Sequence, residues 1–361
     1  MAYELLRRYP DERAAHLRLY EIEQMLGLPD SALVHLRAAL QQSRVVTTLA
    51  GTAPAQRTVL ALSRVARWEA NAPLELVVDP ERTTIHRYFF FDDDVELPGE
   101  APPACDVLFN TIAESEEALA ALALAGRFAT AAGRRPINPP AAVAALTRAS
   151  VARRFAGSST ILAPVVERVA AADLRARTPV APCIVRPVGS QAGFALARID
   201  DAESLHAYLA EHPHEAYFVA PFVDYRSADG LYRKYRIMFV AGVPYPCHLA
   251  ISPRWMIHYY NAAMADHAWM RQEEAHFLAA PEKTFAGALG EALREIAAAV
   301  PLEYFGIDCA ITSEGRLLLF EADAAMLVHG TDPADVYPYK RAAFARIQRA
   351  LTALLDRSAE R

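Results

Sequence analysis

The chain has 361 residues, of which 53% are hydrophobic, 22% charged and 9% aromatic, and its formal net charge is -6. That length suits two or three domains with a sizeable core, and the composition excludes a disordered chain. A net negative charge supplies no global field for nucleic acid or anionic lipid, and no run of about twenty residues is free enough of charge to sit in a bilayer.

Only three of the 37 basic residues are lysines, Lys234, Lys283 and Lys340; the rest are arginines. The four cysteines, Cys105, Cys183, Cys247 and Cys309, are far apart and form no CxxC, which predicts a reduced, cytoplasmic chain without a zinc or disulfide framework. The opening MAYELLRRYPDER carries charge too early for a secretory leader.

Residues 11 to 42 read as two helices. Ala14, Leu17, Ile22, Met25 and Leu26 recur at helical spacing, Gly27-Leu28-Pro29 interrupts them, and Asp30-Ser31 open a second run. The pair has the spacing of one tetratricopeptide-type repeat, a unit that needs about three stacked copies to bury a core. A single copy therefore docks on the rest of the chain or on a partner subunit. A homodimer is one reading, and a plain helical appendage is the blander one.

From Arg44 the pattern turns to α/β. RVVTTLAG is a β-branched run, a helix-compatible stretch follows to about Ala70, and PLELVVDP and HRYFFFDDD read as further strands. CDVLFN then reads as a buried strand, followed by a long helix from about Glu114 to Ala132. This alternation predicts a small, mostly parallel open sheet ending near residue 137. Gly51 is followed by Thr52-Ala53-Pro54, so no GxGxxG supports a dinucleotide-binding dehydrogenase.

Residues 141 to 171 are helix-rich, with Pro164 expected at a helix N1 position. PCIVRPVGSQAGFALARID predicts two strands joined by a glycine turn. After it come a helix (DAESLHAYLAEH), the run EAYFVAPFVDY, one strand (YRIMFVAGVPYPCHLAIS) and a helix from about Thr284 to Val300. The paired strands FGIDCAIT and LLLFEAD and a terminal helix close the chain. The second half is therefore α+β with antiparallel sheet.

Three groups of residues carry chemistry. Gly189 and Gly193 flank Ser190 in a loop that exposes backbone N–H groups with little side-chain bulk, although most glycine hairpins are only turns. Glu321 and Asp323 are two apart on one strand and Asp308 lies on its neighbour, so the three carboxylates share a face, and a hard cation such as magnesium is the economical reason to gather them. The competing reading has them capping strands in water. Arg148, Arg186 and Arg236 add fixed positive charge, and Arg186 follows a buried run, where a guanidinium needs an anion.

The order of these parts resembles the ATP-grasp superfamily, which includes glutathione synthetase, D-alanine ligase and peptide-modifying amino-acid ligases. The resemblance covers roughly residues 44 to 355. It rests on the Asn138-Pro139 segment, a helix with a basic residue, a strand ending Arg186-Pro187, the glycine hairpin, a hinge strand, an Arg-led strand, and Asp308 with Glu321-Ala-Asp323. It implies an α/β plus α+β architecture: a helical hairpin at 1–43, an open-sheet pre-ATP-grasp domain at 44–137 and an ATP-grasp domain at 138–361. In that last domain, 138–220 would carry the glycine hairpin and 221–361 the metal site.

Carried over by position, the resemblance implies ATP under the hairpin, with Arg148 and Arg186 at the positions of phosphate-side lysines. Gly189, Ser190 and Gly193 would lie over the phosphates, Phe222 would lie in the hinge beside adenine, and Asp224 would reach the ribose. Arg236 would steady the transferred phosphoryl group as the catalytic arginine. Asp308, Glu321 and Asp323 would hold magnesium, with Asp323 in place of the commoner asparagine. In SPRWMIHYYNAAMADHAWM, Arg254 is a candidate for a substrate carboxylate and Trp255, Tyr259 and Tyr260 for the pocket wall, and His258 there or His248 in the preceding strand is a candidate for the base that receives a proton from the amine; a mobile surface loop is the competing reading. The implied activity is an ADP-forming carboxylate-amine ligase acting through an acyl-phosphate on small-molecule or peptide substrates, with ATP and magnesium. The alternatives are a kinase of the same fold and an inactive nucleotide- or partner-binding protein.

Overall fold

The computed structural model describes residues 2–52, 57–176, 181–190, 193–257 and 261–360. It begins with three helices, α1 (Ala2–Arg8), α2 (Arg13–Met25) and α3 (Pro29–Leu40). Gly27, at φ +72°, reverses the chain between α2 and α3, and Pro29 starts α3 where its missing N–H has no partner to lose. Leu36 and Leu40 are buried against Val65 and Phe89. The apolar face of this lone hairpin is thus covered by the chain's own first sheet.

That sheet has the order β1-β3-β2-β4, from β1 (Val45–Leu49), β2 (Arg57–Arg64), β3 (Thr83–Phe90) and β4 (Val107–Asn110). β2 runs parallel to β3 and β4, and β1 pairs antiparallel with β3. Two expectations are corrected here. The stretch read as helix-compatible contains β2, the central strand: Val59, Leu60, Ala61 and Leu62 are all buried, and a strand covered on both faces shows no alternation by which to recognise it. PLELVVDP is not a strand; Leu74–Leu76 form a 3-10 turn, and Leu74, Val77 and Val78 are buried in the apolar core that also takes Val59 and Ile85. On the sheet, α4 (Leu119–Ala131) packs Phe128 against Tyr88 and Phe90.

Next come α5 (Pro140–Ala144), α6 (Arg148–Arg154), β5 (Ile161–Leu162), β6 (Glu167–Ala170), α7 (Ala171–Ala176), β7 (Cys183–Pro187), β8 (Ala197–Ile199), α8 (Ala202–Glu211) and β9 (Ala216–Pro221). The second sheet has the order β6-β9-β7-β8 and its own apolar core of Val169, Leu174, Val185, Leu205, Leu209 and Tyr217. Pro164 starts no helix. It lies in the short link between β5 and β6, which belong to different sheets, where a residue without N–H costs no ladder bond.

The third sheet, β11-β10-β12-β13-β5, uses β10 (Tyr232–Val240), β11 (Val243–Ser252), β12 (Tyr304–Ile311) and β13 (Leu317–Asp323). The stretch from Tyr235 to Ser252, read as one strand, is most of a hairpin. Ala241 and Gly242 both have positive φ, 51° and 78°, and the chain reverses there. α9 (Ala268–Ala279), α10 (Pro281–Thr284), α11 (Gly287–Ala299) and α12 (Lys340–Ala359) complete the chain. The first and third sheets share a continuous core in which Leu60, Leu62 and Phe90 join Ile237, Phe239 and Phe305. Asn138 fastens the two: its amide donates to Tyr304 O at 2.5 Å and accepts from Tyr304 N at 3.0 Å. Among the described residues, no helix is long and apolar enough to cross a membrane.

Candidate active site

Register builds the site. In the third sheet His248 pairs with Arg236, Arg236 with Asp308, and Asp308 with Glu321, so four adjacent strands place one residue each in a single cross-strand row. Register shifts follow Arg236 on β10 and Asp308 on β12, next to the row itself. Charges alternate along part of the row. Arg236 grips Asp308 at two points, Nε to Oδ1 at 2.8 Å and Nη2 to Oδ2 at 3.0 Å, and Lys234 Nζ donates to the same Oδ2 at 2.9 Å. Glu321 is paired with Arg148 of α6 at 3.0 Å. Burial alone would raise the Asp308 carboxyl, but Arg236 and Lys234 outweigh it and hold it well below the usual carboxylate range.

Asp323 lies two residues beyond Glu321 and accepts from Ala325 N at 2.9 Å. Burial raises its carboxyl to about 6, with the Glu321 charge adding to the shift. Glu114, in the segment after β4, rises to about 7, chiefly through burial, with Arg148 opposing and Asp323 reinforcing. The three carboxylates expected as metal ligands therefore differ in availability. Asp308 is taken by two cations, Glu321 is shared with Arg148, and Asp323 has no cationic partner among the described residues. Among those residues no three His, Cys, Asp or Glu side chains already converge on one metal position. The Arg236, Lys234 and Arg148 side chains offset part of the repulsion that gathering the carboxylates creates. The half-buried Asp323, without an ion-pair partner among the described residues, and Glu321 beside it are nonetheless a donor set of hard oxygens that fits magnesium.

The glycine hairpin starts at the end of β7. Gly189 and Gly193 have φ of +80° and +74°, and Arg186 Nε donates to Ser190 Oγ at 3.0 Å, a second bond going from Nη2 to Ser190 O. Gln191 and Ala192 lie outside the described residues. A Cβ added at Gly189 would meet Glu117 Oε1 at 3.2 Å, and one at Gly193 would meet Met256 Sδ at 3.7 Å, so the loop lies against both the first sheet's connection and the segment after β11. Among the described residues Arg186 has no carboxylate within ion-pair distance. Burial, with Arg148 adding to it, lowers its guanidinium to about 10. A desolvated cation of this kind is an anion-binding group.

Beyond the hinge, Phe222 N donates to Pro182 O at 3.0 Å, and the Phe222 ring lies under Arg198 at 4.3 Å and edge-on to Trp255 at 5.6 Å. Asp224 is paired with Arg226 at 2.9 Å. Arg226, Tyr232, Arg254, Trp255 and Met256 line an open cavity of about 460 Å³. The Arg254 side chain is exposed there without a carboxylate partner among the described residues. His258, Tyr259 and Tyr260 lie outside the described residues.

The Coxiella burnetii D-alanine–D-alanine ligase superposes with a TM-score of 0.51 at 9% identity, over 84% of this chain and 95% of that one. The Bacillus anthracis D-alanine–D-alanine ligase gives 0.50 at 7% identity, over 85% and 99%. The fold is ATP-grasp. No family model and no curated protein matches the sequence.

Within this ATP-grasp fold the row continues behind Arg236 into a buried polar network that the sequence did not reveal. His248 Nδ1 meets Glu274 Oε1 of α9 at 2.5 Å, Tyr339 donates to Glu274 Oε2 at 2.6 Å, and Lys340 lies 2.5 Å from Asp332 and 3.3 Å from Glu274. Arg236 Nη1 donates to Leu327 O at 3.1 Å and to His329 Nε2 at 3.3 Å. Burial pulls His248 and His329 below the usual imidazole range, with Glu274 opposing at His248. Glu114 and Glu274 are the site residues that sequence reasoning did not single out, and nothing local points at either. Lys234 belongs to the basic run of Arg233, Lys234 and Arg236 that leads into an apolar strand, where alternate residues share a face.

Proposed function

We propose that the chain is an ATP-dependent ligase joining a carboxylate to an amine, acting on an amino acid or peptide. The observation that carries this reading is the convergence of Arg148, Lys234 and Arg236 on the carboxylates of Asp308 and Glu321, next to a glycine hairpin whose Ser190 is held by Arg186, within a fold shared with D-alanine–D-alanine ligases. In the first step a substrate carboxylate oxygen attacks the terminal phosphorus of ATP, and the bond to the bridging oxygen breaks to release ADP. In the second, the amine nitrogen adds to the acyl carbon, phosphate leaves, and the nitrogen's proton passes to a base.

The chain's residues divide these tasks. Arg148 and Arg186 bind phosphate oxygens, with the backbone N–H groups of Gly189, Ser190 and Gly193 above them. Phe222 and Asp224 take the nucleoside end. Glu321 and Asp323 would hold magnesium, Asp308 joining if its cations release an oxygen, and the metal when bound neutralises phosphate charge. Arg254, at the cavity, takes a substrate carboxylate, and His248 or His258 takes the proton. A cytoplasmic setting suits the four free cysteines.

Calorimetric titration with the non-hydrolysable analogue AMP-PNP, with and without magnesium, tests this on the wild type and Glu321→Ala. Magnesium-dependent binding that is lost in the variant is the expected result and leads to a screen of amino acids and peptides for ADP release. No binding by the wild type removes the reading. ADP formed with phosphate retained on the acceptor would replace ligation by kinase chemistry.

A further inference from the structure

Donor bookkeeping at Asp308 separates its two cations. A guanidinium has five N–H donors and no acceptor. Arg236 commits four of them, two to Asp308, one to Leu327 O and one to His329 Nε2. An ammonium has three donors. Lys234 commits one, to Asp308 Oδ2, among the described residues. Asp308 is already matched in charge and geometry by Arg236, so Lys234 is a second cation on a neutralised carboxylate. Its side chain is only 17% exposed and its charge also acts on Glu321, so what Lys234 has left over is not charge but two N–H donors in a partly desolvated place, which require an acceptor.

The composition points the same way. A chain that uses arginine almost everywhere keeps three lysines, and two of them, Lys234 and Lys340, lie in this row and the network behind it. A compact ammonium with rotatable donors suits a place where a planar fork would have to give up one partner to reach another.

We propose that Lys234, rather than Arg236, is the cation of this row that touches the nucleotide's phosphoryl oxygens, while Arg236 is a positioning residue that fixes Asp308. Lys234 keeps one donor on Asp308 and turns the others to the terminal phosphates. The inference rests on the ATP-binding reading above and deepens it.

The test titrates wild type, Lys234→Gln and Lys234→Arg with AMP-PNP and with AMP, in EDTA and in magnesium. The expected result is that wild type binds AMP-PNP more tightly than AMP even in EDTA. Lys234→Gln weakens AMP-PNP binding tenfold or more with AMP unchanged, and Lys234→Arg recovers most of the loss. Equal AMP-PNP affinity in wild type and Lys234→Gln overturns the inference and leaves the ATP reading standing. A parallel loss of AMP and AMP-PNP overturns it too, because that marks a merely structural lysine. If Lys234→Gln does not fold, the wild type decides: no preference for AMP-PNP over AMP in EDTA overturns the inference. If wild type binds neither nucleotide, the ATP reading itself fails.

Discussion

Asp308 and Arg236 are direct cross-strand partners on β12 and β10, joined by two parallel N–H···O bonds of 2.8 and 3.0 Å with both side chains largely out of water. The pair anchors one end of a row of charge that crosses the third sheet to Arg148. Removing one member of a buried ion pair leaves the other uncompensated, at a cost of about 3–5 kcal/mol. Asp308→Ala, which leaves both Arg236 and Lys234 without their carboxylate, is expected to lose stability in that range by urea unfolding. A loss below about 1 kcal/mol would mean that the pair is solvated.

Glu114 makes stability depend on pH in the direction opposite to an ordinary paired carboxylate. Its carboxyl rises from 4.5 to about 7 in the fold, so the folded state binds the proton more tightly than the unfolded one. Stability from this group is therefore full at low pH and is lost as pH rises from about 4.5 through about 7. Glu114→Gln, melted in EDTA at pH 5 and pH 8, should gain stability relative to wild type at the higher pH. An unchanged difference between the two pH values would refute the assignment.

Gly189 sits at φ +80°, where a side chain is strained, and an added Cβ would also press on Glu117 Oε1 at 3.2 Å. Gly189→Ala is expected to cost about 1–2 kcal/mol in the hairpin and to weaken AMP-PNP binding. The comparison that checks it is Gly230→Ala, which has positive φ but no neighbour within 4 Å of its added Cβ. That variant should show the strain alone.

Leu36 is buried where α3 meets Val65 and Phe89. Leu36→Ala should destabilise the protein by about 2–5 kcal/mol, the range for emptying a leucine site in a core. A loss under about 0.5 kcal/mol in a denaturant melt would show that the helical hairpin unfolds independently of the sheet.

The paired strands FGIDCAI and LLLFEAD were legible because a tight turn at Ser313-Glu314-Gly315 and a period of two fix which residues share a face. The glycine hairpin was legible for the same local reasons. β2 was not, since a strand buried on both faces has no period, and neither was the Ala241-Gly242 reversal, hidden inside a continuous apolar run. The site was half legible. Carboxylates on one face follow from strand spacing, but which cation each one takes follows from register. Register brings together Arg236 and Asp308, 72 positions apart, and the packing of α9 on the sheet brings together His248 and Glu274, 26 apart. No local pattern encodes such distances.

The second sheet keeps a core to itself, whereas the first and third share one and are stitched together at Asn138 and Tyr304. Mechanically the molecule is a jaw. The lobe carrying Arg186 and the glycine loop can swing without dividing any apolar core, and what restrains it includes surface pairs such as Arg168 with Glu116 at 2.8 Å, both half exposed. Pairs of that kind hold with about 0–1 kcal/mol each. Under the proposed ATP-binding reading, entry and exit of the nucleotide would fall to this lobe, while the row from His248 to Glu321 stays fixed as the anvil.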